Sequence, residues 1–248
     1  MPADDQEERR LDVEMMRRGL SVSRAQARAA IEAGKVSVDG AVATKAGQLV
    51  TTDSAIAAEA AHPWASRGGV KLAHALDAFG VSPEGRACLD VGASTGGFTD
   101  VLLARGARRV TAVDVGRGQL LRRLADDARV VSLEATDARM LTAAMLGEAP
   151  SLLVCDASFI GLAKVLPVPL SLAARGADLV ALFKPQFEVG REHIGKGGIV
   201  SDDAATDEAA RAFAMWLEAQ GWRVLGWTTS PIAGGDGNSE RLIHAVHD

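Results

Sequence analysis

Four polar side chains stand where proton removal from a weak acid could be run: Lys71, Asp156, Lys184 and Glu240. Asp156 directly follows the apolar run Leu152–Cys155, and Lys184 ends the run Asp178–Phe183. Glu240 closes Gly237-Asn238-Ser239-Glu240 at the entry to a last apolar run. Lys71 falls in the first turn of a helix predicted over Gly69–Phe79, beside an apolar face of Leu72, Leu76 and Phe79. The helix dipole disfavours a cation there, which argues against mere decoration. Singly, each of the four reads equally well as a rim charge. Together they suit a sugar hydroxyl, a very weak acid that must shed its proton as an electrophile arrives. A lysine ordinarily titrates near about 10.4; desolvation or a second cation lowers that and leaves an amine able to act as base. One lysine can take the proton while the other three groups orient it, and in-line placement supplies much of the rest.

A second chemical feature is the turn Leu89-Asp90-Val91-Gly92-Ala93-Ser94-Thr95-Gly96-Gly97-Phe98, between a predicted strand and a predicted helix. Glycines let the backbone approach a ligand without Cβ clashes, at the strand end where such sheets bind ligands. No Lys-Ser/Thr follows the glycines, so this is not a triphosphate loop, and the spacing of Gly92, Gly96 and Gly97 is not G-x-G-x-x-G. Asp90 would repel a pyrophosphate and suits a ligand carrying an amino group and a sulfonium. Asp114, with Val115, lies at the end of the next strand, where a carboxylate accepts from ribose hydroxyls; Asp137 follows the third strand, within reach of an adenine. The expected contacts for S-adenosylmethionine are therefore Asp90, Gly92, Ser94, Thr95, Gly96, Gly97, Phe98, Asp114, Val115 and Asp137. A nicotinamide or flavin site, or a purely structural turn, stays open. Asp156-Ala157-Ser158-Phe159 lacks the Asn/Asp-Pro-Pro-aromatic pattern of base-amino methylation, which favours a hydroxyl target. Phe159 and Phe187 either stack on a flipped base or pack in the interior.

The elements that must hold these residues fall into two modules. Ala87–Val91, Arg109–Val115, Val130–Leu133, Leu152–Cys155 and Asp178–Phe183 are short apolar runs separated by helical patterns such as Thr99–Arg105. That alternation predicts an α/β fold with a parallel sheet covered on both faces. Arg223–Thr229 and Leu242–Val246, flanking a glycine-rich turn, are expected as an antiparallel pair at one end. Before this comes a small α+β module. A helical stretch from Arg10-Leu11-Asp12 ends at Gly19; Ser23-Arg24-Ala25-Gln26 reads as a capping box opening a helix that runs to Gly34. Lys35–Val38 alternates as a strand, and Asp39-Gly40 is a hairpin turn. The boundaries are 9–60 for this module, 61–66 for a linker containing His62-Pro63-Trp64-Ala65, and 67–248 for the α/β domain.

The net charge of −5, from 27 basic and 32 acidic residues, counts mildly against a nucleic-acid binder. Locally, however, Arg17, Arg18, Arg24, Arg28 and Lys35 are opposed only by Glu32 between Met15 and Lys35, and phosphate attraction follows the local patch. Arg24 and Arg28, four apart, share a helix face. The two cysteines, Cys88 and Cys155, sit in apolar runs and suggest neither a disulfide framework nor a zinc site. The acidic start has no apolar stretch of signal-peptide type, and no run approaches a membrane span, so a cytoplasmic location is expected.

Arg10-Leu11-Asp12, Arg17-Arg18-Gly19-Leu20, Ser23-Arg24 and Gly34-Lys35-Val36 resemble the S4 RNA-binding domain. Ser66-Arg67-Gly68-Gly69-Val70-Lys71-Leu72, Asp90–Phe98, Asp114-Val115-Gly116 with Gly118-Gln119-Leu120, Ser158-Phe159-Ile160 and Lys184-Pro185-Gln186-Phe187-Glu188-Val189-Gly190 resemble the TlyA/haemolysin A family, whose catalytic domain is similar to FtsJ-type ribose methyltransferases. The resemblance spans nearly the whole chain. It implies a Rossmann-like seven-stranded methyltransferase sheet behind the S4 domain, S-adenosylmethionine as methyl donor, and the ribose 2′-hydroxyl of a cytidine in ribosomal RNA or a ribosomal subunit as target. It implies a Lys-Asp-Lys-Glu tetrad at Lys71, Asp156, Lys184 and Glu240, and RNA contacts from Arg10, Arg17, Arg18, Arg24, Arg28, Lys35 and Arg67. The linker departs from the family's Arg-x-Trp-Val. A non-catalytic ribosome-assembly factor is the alternative; a haemolysin, suggested by the family's older name, lacks a predicted secretion signal or spanning helix.

Overall fold

Ser23 opens the second helix of the N-terminal unit as its sequence requires: extended backbone at the cap, and a side-chain oxygen accepting from the Gln26 N–H at 3.1 Å. The computed structural model describes residues 8–21, 23–59 and 62–248; the expectations for the acidic start (1–7) and for the first linker residue, Ala61, lie outside the described residues. The chain divides into two units between Arg67 and Gly68.

The first unit holds β1 (Arg9–Arg10), α1 (Leu11–Arg17), α2 (Arg24–Glu32), β2 (Val36–Val38), β3 (Ala41–Val42), β4 (Leu49–Val50) and β5 (Ile56–Ala58). Asp39 and Gly40 both take left-handed backbone, φ 51° and 81°, as a two-residue hairpin turn between β2 and β3 demands. β5 pairs on the other side of β2, and β1 pairs with β4. Leu11 and Met15 of α1 pack with Ala27, Ala30 and Ile31 of α2 over Val36 and Val38. Strands β1, β4 and β5 are two or three residues long, too short to register as an alternating pattern.

The second unit contains α3 (Arg67–Phe79), β6 (Ala87–Val91), α4 (Gly97–Ala104), β7 (Arg109–Val113), α5 (Arg122–Ala125), β8 (Val130–Leu133), α6 (Ala143–Leu146), β9 (Leu152–Cys155), α7 (Leu162–Val165), α8 (Pro167–Ser171), β10 (Asp178–Phe183), α9 (Pro185–Glu188), α10 (Asp203–Ala219), β11 (Trp222–Thr229) and β12 (Arg241–His247). Its seven strands lie in the order β11-β12-β10-β9-β6-β7-β8, with β12 antiparallel to both neighbours and the rest parallel. This is the α/β sheet the alternation implied, with the expected antiparallel pair at one end. β6, β9 and most of β10 are buried throughout because helices cover both faces, so they read as unbroken apolar runs. The strand order reverses at β6, whose neighbours are β7 and β9, and ligands of such sheets bind at the carboxyl ends beside that point. No described helix is long and apolar enough to cross a membrane.

Candidate active site

A cavity of about 520 Å³ opens at the carboxyl ends of β6, β7 and β9, within the roughly 300–1,000 Å³ range of small-ligand sites. Its walls come from the turn after β6 (Val91, Gly92, Ser94), the loop after β7 (Val113 to Gly116, Gln119), the segment after β8 (Thr136 to Arg139) and the segment after β9 (Asp156 to Ile160), with Val165 behind. Gly92 has φ +83°, and a Cβ there would meet the Ala157 backbone at 3.0 Å. Only glycine lets the β6 turn lie against the end of β9. Gly96, at φ +95°, has no room either: a Cβ would strike the Leu124 and Leu120 side chains. Ser94 donates its N–H to Asp114 Oδ2 (2.8 Å) and its hydroxyl to Gln119 Oε1 (3.0 Å); Asp114 Oδ1 accepts from Gly116 N–H (2.7 Å).

Of the expected donor contacts, Gly92, Ser94, Asp114, Val115 and Asp137 line the cavity, while Asp90, Thr95, Gly96, Gly97 and Phe98 do not. Asp90 is the fourth residue of β6 and fully buried; its Oδ2 accepts from Thr99 Oγ1 at 2.7 Å, and its Oδ1 has no hydrogen-bond partner among the described residues. Burial, with Asp156 and then Asp114 adding repulsion, pushes its pKa up to about 7 despite the Thr99 hydrogen bond. Phe98 is a core residue of α4, 2% exposed. The glycine turn therefore divides into a cavity-facing half and a half that seats α4. Gly116, Gln119, Thr136, Arg139 and Ser158 line the cavity without having been picked out as contacts, although Gly116, Gln119 and Ser158 stand inside the motifs quoted above.

Strand register assembles three of the four polar groups, and α3 brings the fourth. Cys155 pairs with Ala181 and Phe183 with Arg241, so Asp156, Lys184 and Glu240 emerge from three adjacent strands, β9, β10 and β12, with Glu240 abreast of Lys184. Lys184 Nζ lies 2.7 Å from Asp156 Oδ1 and donates to Ser158 Oγ at 2.8 Å. Lys71 reaches Glu240 from α3 in a short ion pair. Because α3 starts at Arg67, Lys71 is its fifth residue and not in its first turn; its pairing, not the dipole, accounts for its position. Both lysines are buried, as is Glu240. Burial raises the Glu240 pKa above the usual carboxylate range, opposed by the charge of Lys71 and, more weakly, of Lys184. Asp156 and Ser158 also line the cavity, so the Lys184–Asp156 pair adjoins its edge.

Phe159, next along, is 92% exposed, and at φ +65° it holds a backbone conformation that costs a bulky residue about 1–3 kcal/mol. Its ring lies 5.4 Å from that of Phe187. Phe159 is thus not interior packing. Val115 and Met140, each 72% exposed, are the other open apolar side chains of the segments after β7 and β8.

In the N-terminal unit the basic side chains are less free than the stretch from Met15 to Lys35 implied, because their acids lie just before it. Asp12, fully buried, is gripped by Arg10 (3.0 Å) and Arg24 (2.9 Å), and Glu14 by Arg17 (2.7 Å) and Arg18 (2.6 Å). Arg17 and then Arg18 hold the Glu14 pKa down to about 2. Arg18 also donates to the carbonyls of Thr51, Thr52 and Ser54, which makes it a structural tie. Lys35 stands 3.5 Å from Glu59. Arg28 is exposed and has no carboxylate partner among the described residues; Arg67 opens α3, half-buried.

Sequence models of two families match: S4 domain over residues 9–56 and FtsJ-like methyltransferase over residues 64–246. The chain is 48% identical over 236 residues to the 16S/23S rRNA (cytidine-2′-O)-methyltransferase TlyA of Mycobacterium tuberculosis, covering 94% of this chain and 88% of that protein. It is 40% identical over 239 residues to Hemolysin A of Brachyspira hyodysenteriae, covering 96% and 99%. A solved structure from Streptococcus thermophilus, described as a hemolysin candidate, superposes with a TM-score of 0.79 at 38% identity, covering 97% of this chain and 88% of that one.

Proposed function

We propose, for a chain that belongs to the FtsJ-like methyltransferase family and carries an S4 domain, the transfer of a methyl group from S-adenosylmethionine to the ribose 2′-hydroxyl of a cytidine in ribosomal RNA. The observation that carries the reading is the meeting of Lys184–Asp156 and Lys71–Glu240 at neighbouring strand ends, beside a cavity that shares Asp156.

The cavity's donor set fits an adenosine-bearing ligand. A carboxylate offers about four acceptor sites; Asp114 spends two on Ser94 and Gly116 and keeps the others for ribose hydroxyls. Val91, Val113, Ala138 and Ile160 give an apolar slot, with Asp137 on its polar side. S-adenosylmethionine, when bound, supplies the electrophilic methyl group. The chain's own work is to hold the target hydroxyl and remove its proton. Lys184 Nζ, as the neutral amine, is the base that takes the hydroxyl proton and becomes the ammonium: Asp156 Oδ1 and Ser158 Oγ fix it, and the Lys71–Glu240 pair sets the charge around it. In this reading Phe159, exposed at the cavity wall, stacks on the target base.

The S4 unit meets RNA phosphates with Arg10 and Arg24, each roughly half exposed on the shared Asp12, and with Arg28, Lys35 and Arg17. Arg18, tied to three carbonyls, contributes little, and Arg67 is the last residue of the first unit, where α3 begins. The test is incubation of purified protein with methyl-labelled S-adenosylmethionine and bacterial ribosomal RNA, followed by nuclease digestion. Label in 2′-O-methylcytidine is expected; label in a base, or none while the donor still binds, would refute the reading.

A further inference from the structure

One carboxylate outside the tetrad holds a cavity wall in place. Glu134, the residue after β8, accepts three successive backbone N–H groups of the loop after β7: Gly118 at 2.8 Å on Oε2, and Gln119 at 2.7 Å and Leu120 at 3.1 Å on Oε1. Successive N–H groups of this kind form an anion-binding concavity, here filled by the chain's own acid. The N–H groups of Leu120, Gly118 and Gln119 hold the Glu134 pKa below its ordinary value. The same two segments are stitched by Ala135 N–H to Gly116 O (2.7 Å) and Thr136 N–H to Asp114 O (2.9 Å). Gly116 and Gln119 line the cavity and Gln119 bonds Ser94 across it, whereas Glu134 does not line the cavity.

We infer that Glu134 is a positioning residue for the methyl donor: by tying the 118–120 backbone it fixes Gln119 and Gly116 as a preformed cavity wall before the donor arrives. The argument rests on the reading of this cavity as the S-adenosylmethionine site. Without the carboxylate, three N–H groups turn to water and the loop must be ordered at the moment of binding, which weakens affinity without touching the groups that move the proton.

The experiment is calorimetric titration of S-adenosylmethionine into the full chain and into Glu134→Ala and Glu134→Gln, with steady-state kinetics alongside. Loss of charge-assisted hydrogen bonds predicts an affinity for Glu134→Ala weaker on the order of tenfold. Glu134→Gln falls in between, since its carbonyl oxygen still accepts the Gln119 and Leu120 N–H groups; it also serves should the alanine variant not fold. KM for the donor rises in step while kcat at saturating donor stays within about threefold, the mark of lost ground-state binding. In a double-variant cycle, Gln119→Ala has less effect on the Glu134→Ala background than on the parent, because the wall it belongs to is already loose. Donor binding by both Glu134 variants equal to that of the parent, a drop in kcat with KM intact, or strict additivity with Gln119→Ala would overturn the inference. If the parent chain bound no donor, the cofactor reading would fall first and this inference with it.

Discussion

Lys71→Met leaves Glu240 in a buried site with its nearest cation gone. The two side chains are 8% and 2% exposed, so water replaces little of what is lost. Removing one partner of a buried ion pair costs about 3–5 kcal/mol, whereas replacing both by neutral groups of similar volume is close to neutral. At roughly 2–4 °C per kcal/mol for a domain of this size, Lys71→Met lowers the melting temperature by about 6–20 °C at pH 8, and adding Glu240→Gln restores most of it. The sign with pH follows from burial, which already raises the Glu240 pKa in the folded chain and does so further once Lys71 is gone. A carboxyl with a raised folded pKa binds its proton more tightly when folded, so stability declines as pH rises from the unfolded value near about 4.3 towards the folded one. The deficit of Lys71→Met therefore shrinks at pH 5 and is widest at pH 8, and in the double variant this pH dependence vanishes. Denaturant melts of the parent, Lys71→Met and the double variant at pH 5 and 8, with methyl transfer measured on each, give the answer. Transfer stays lost in the double variant although stability returns. A pH-independent loss below about 1 kcal/mol for Lys71→Met would refute the idea of a dry, coupled pair.

Lys184→Ala lowers turnover by about 10²–10⁴-fold, the usual weight of a general base, while S-adenosylmethionine affinity measured by calorimetry changes less than twofold; near-normal turnover would show that another group takes the proton. Phe159→Ala, at an exposed position, leaves the melting temperature unchanged yet weakens the RNA-dependent step by about 1–3 kcal/mol, as loss of one stacked base would; identical kinetics would remove it from the site. Arg28→Gln reduces the salt slope of RNA binding by about one contact's worth, whereas Arg18→Gln chiefly lowers the stability of the S4 unit, a contrast visible in filter binding across salt concentrations beside thermal melts.

The strands of the catalytic unit are legible in the sequence because both faces of the sheet are covered and the runs are uninterrupted: Leu152–Cys155 and Asp178–Phe183 match their strands residue for residue. The positions of Asp156 and Lys184 follow from the same regularity, since a polar residue after such a run emerges at the carboxyl edge; Glu240, which precedes its strand, and Lys71, on a helix, do not. The glycine turn is legible only in part. Asp90 and Gly92 stand two apart in one motif, yet the strand carries Asp90 beneath Thr99 while the left-handed turn at Gly92 meets the cavity. Counting charges in a window misses that Arg24 is matched by Asp12, twelve residues upstream and on another helix. Glu134 has no signature, because its three partners are backbone N–H groups, which any sequence supplies. The exposure of Phe159 depends on a positive φ that the residue type disfavours, so residue type alone argues the other way.

Methyl placement in living cells bears most directly on the whole account. Mapping of alkali-resistant linkages in ribosomal RNA, from cells with the gene, without it, and carrying Lys184→Ala, is expected to reveal one or more cytidine 2′-O-methyl marks present only in the first. Identical maps in all three strains, or a gene-dependent mark on a base and not on ribose, would contradict it.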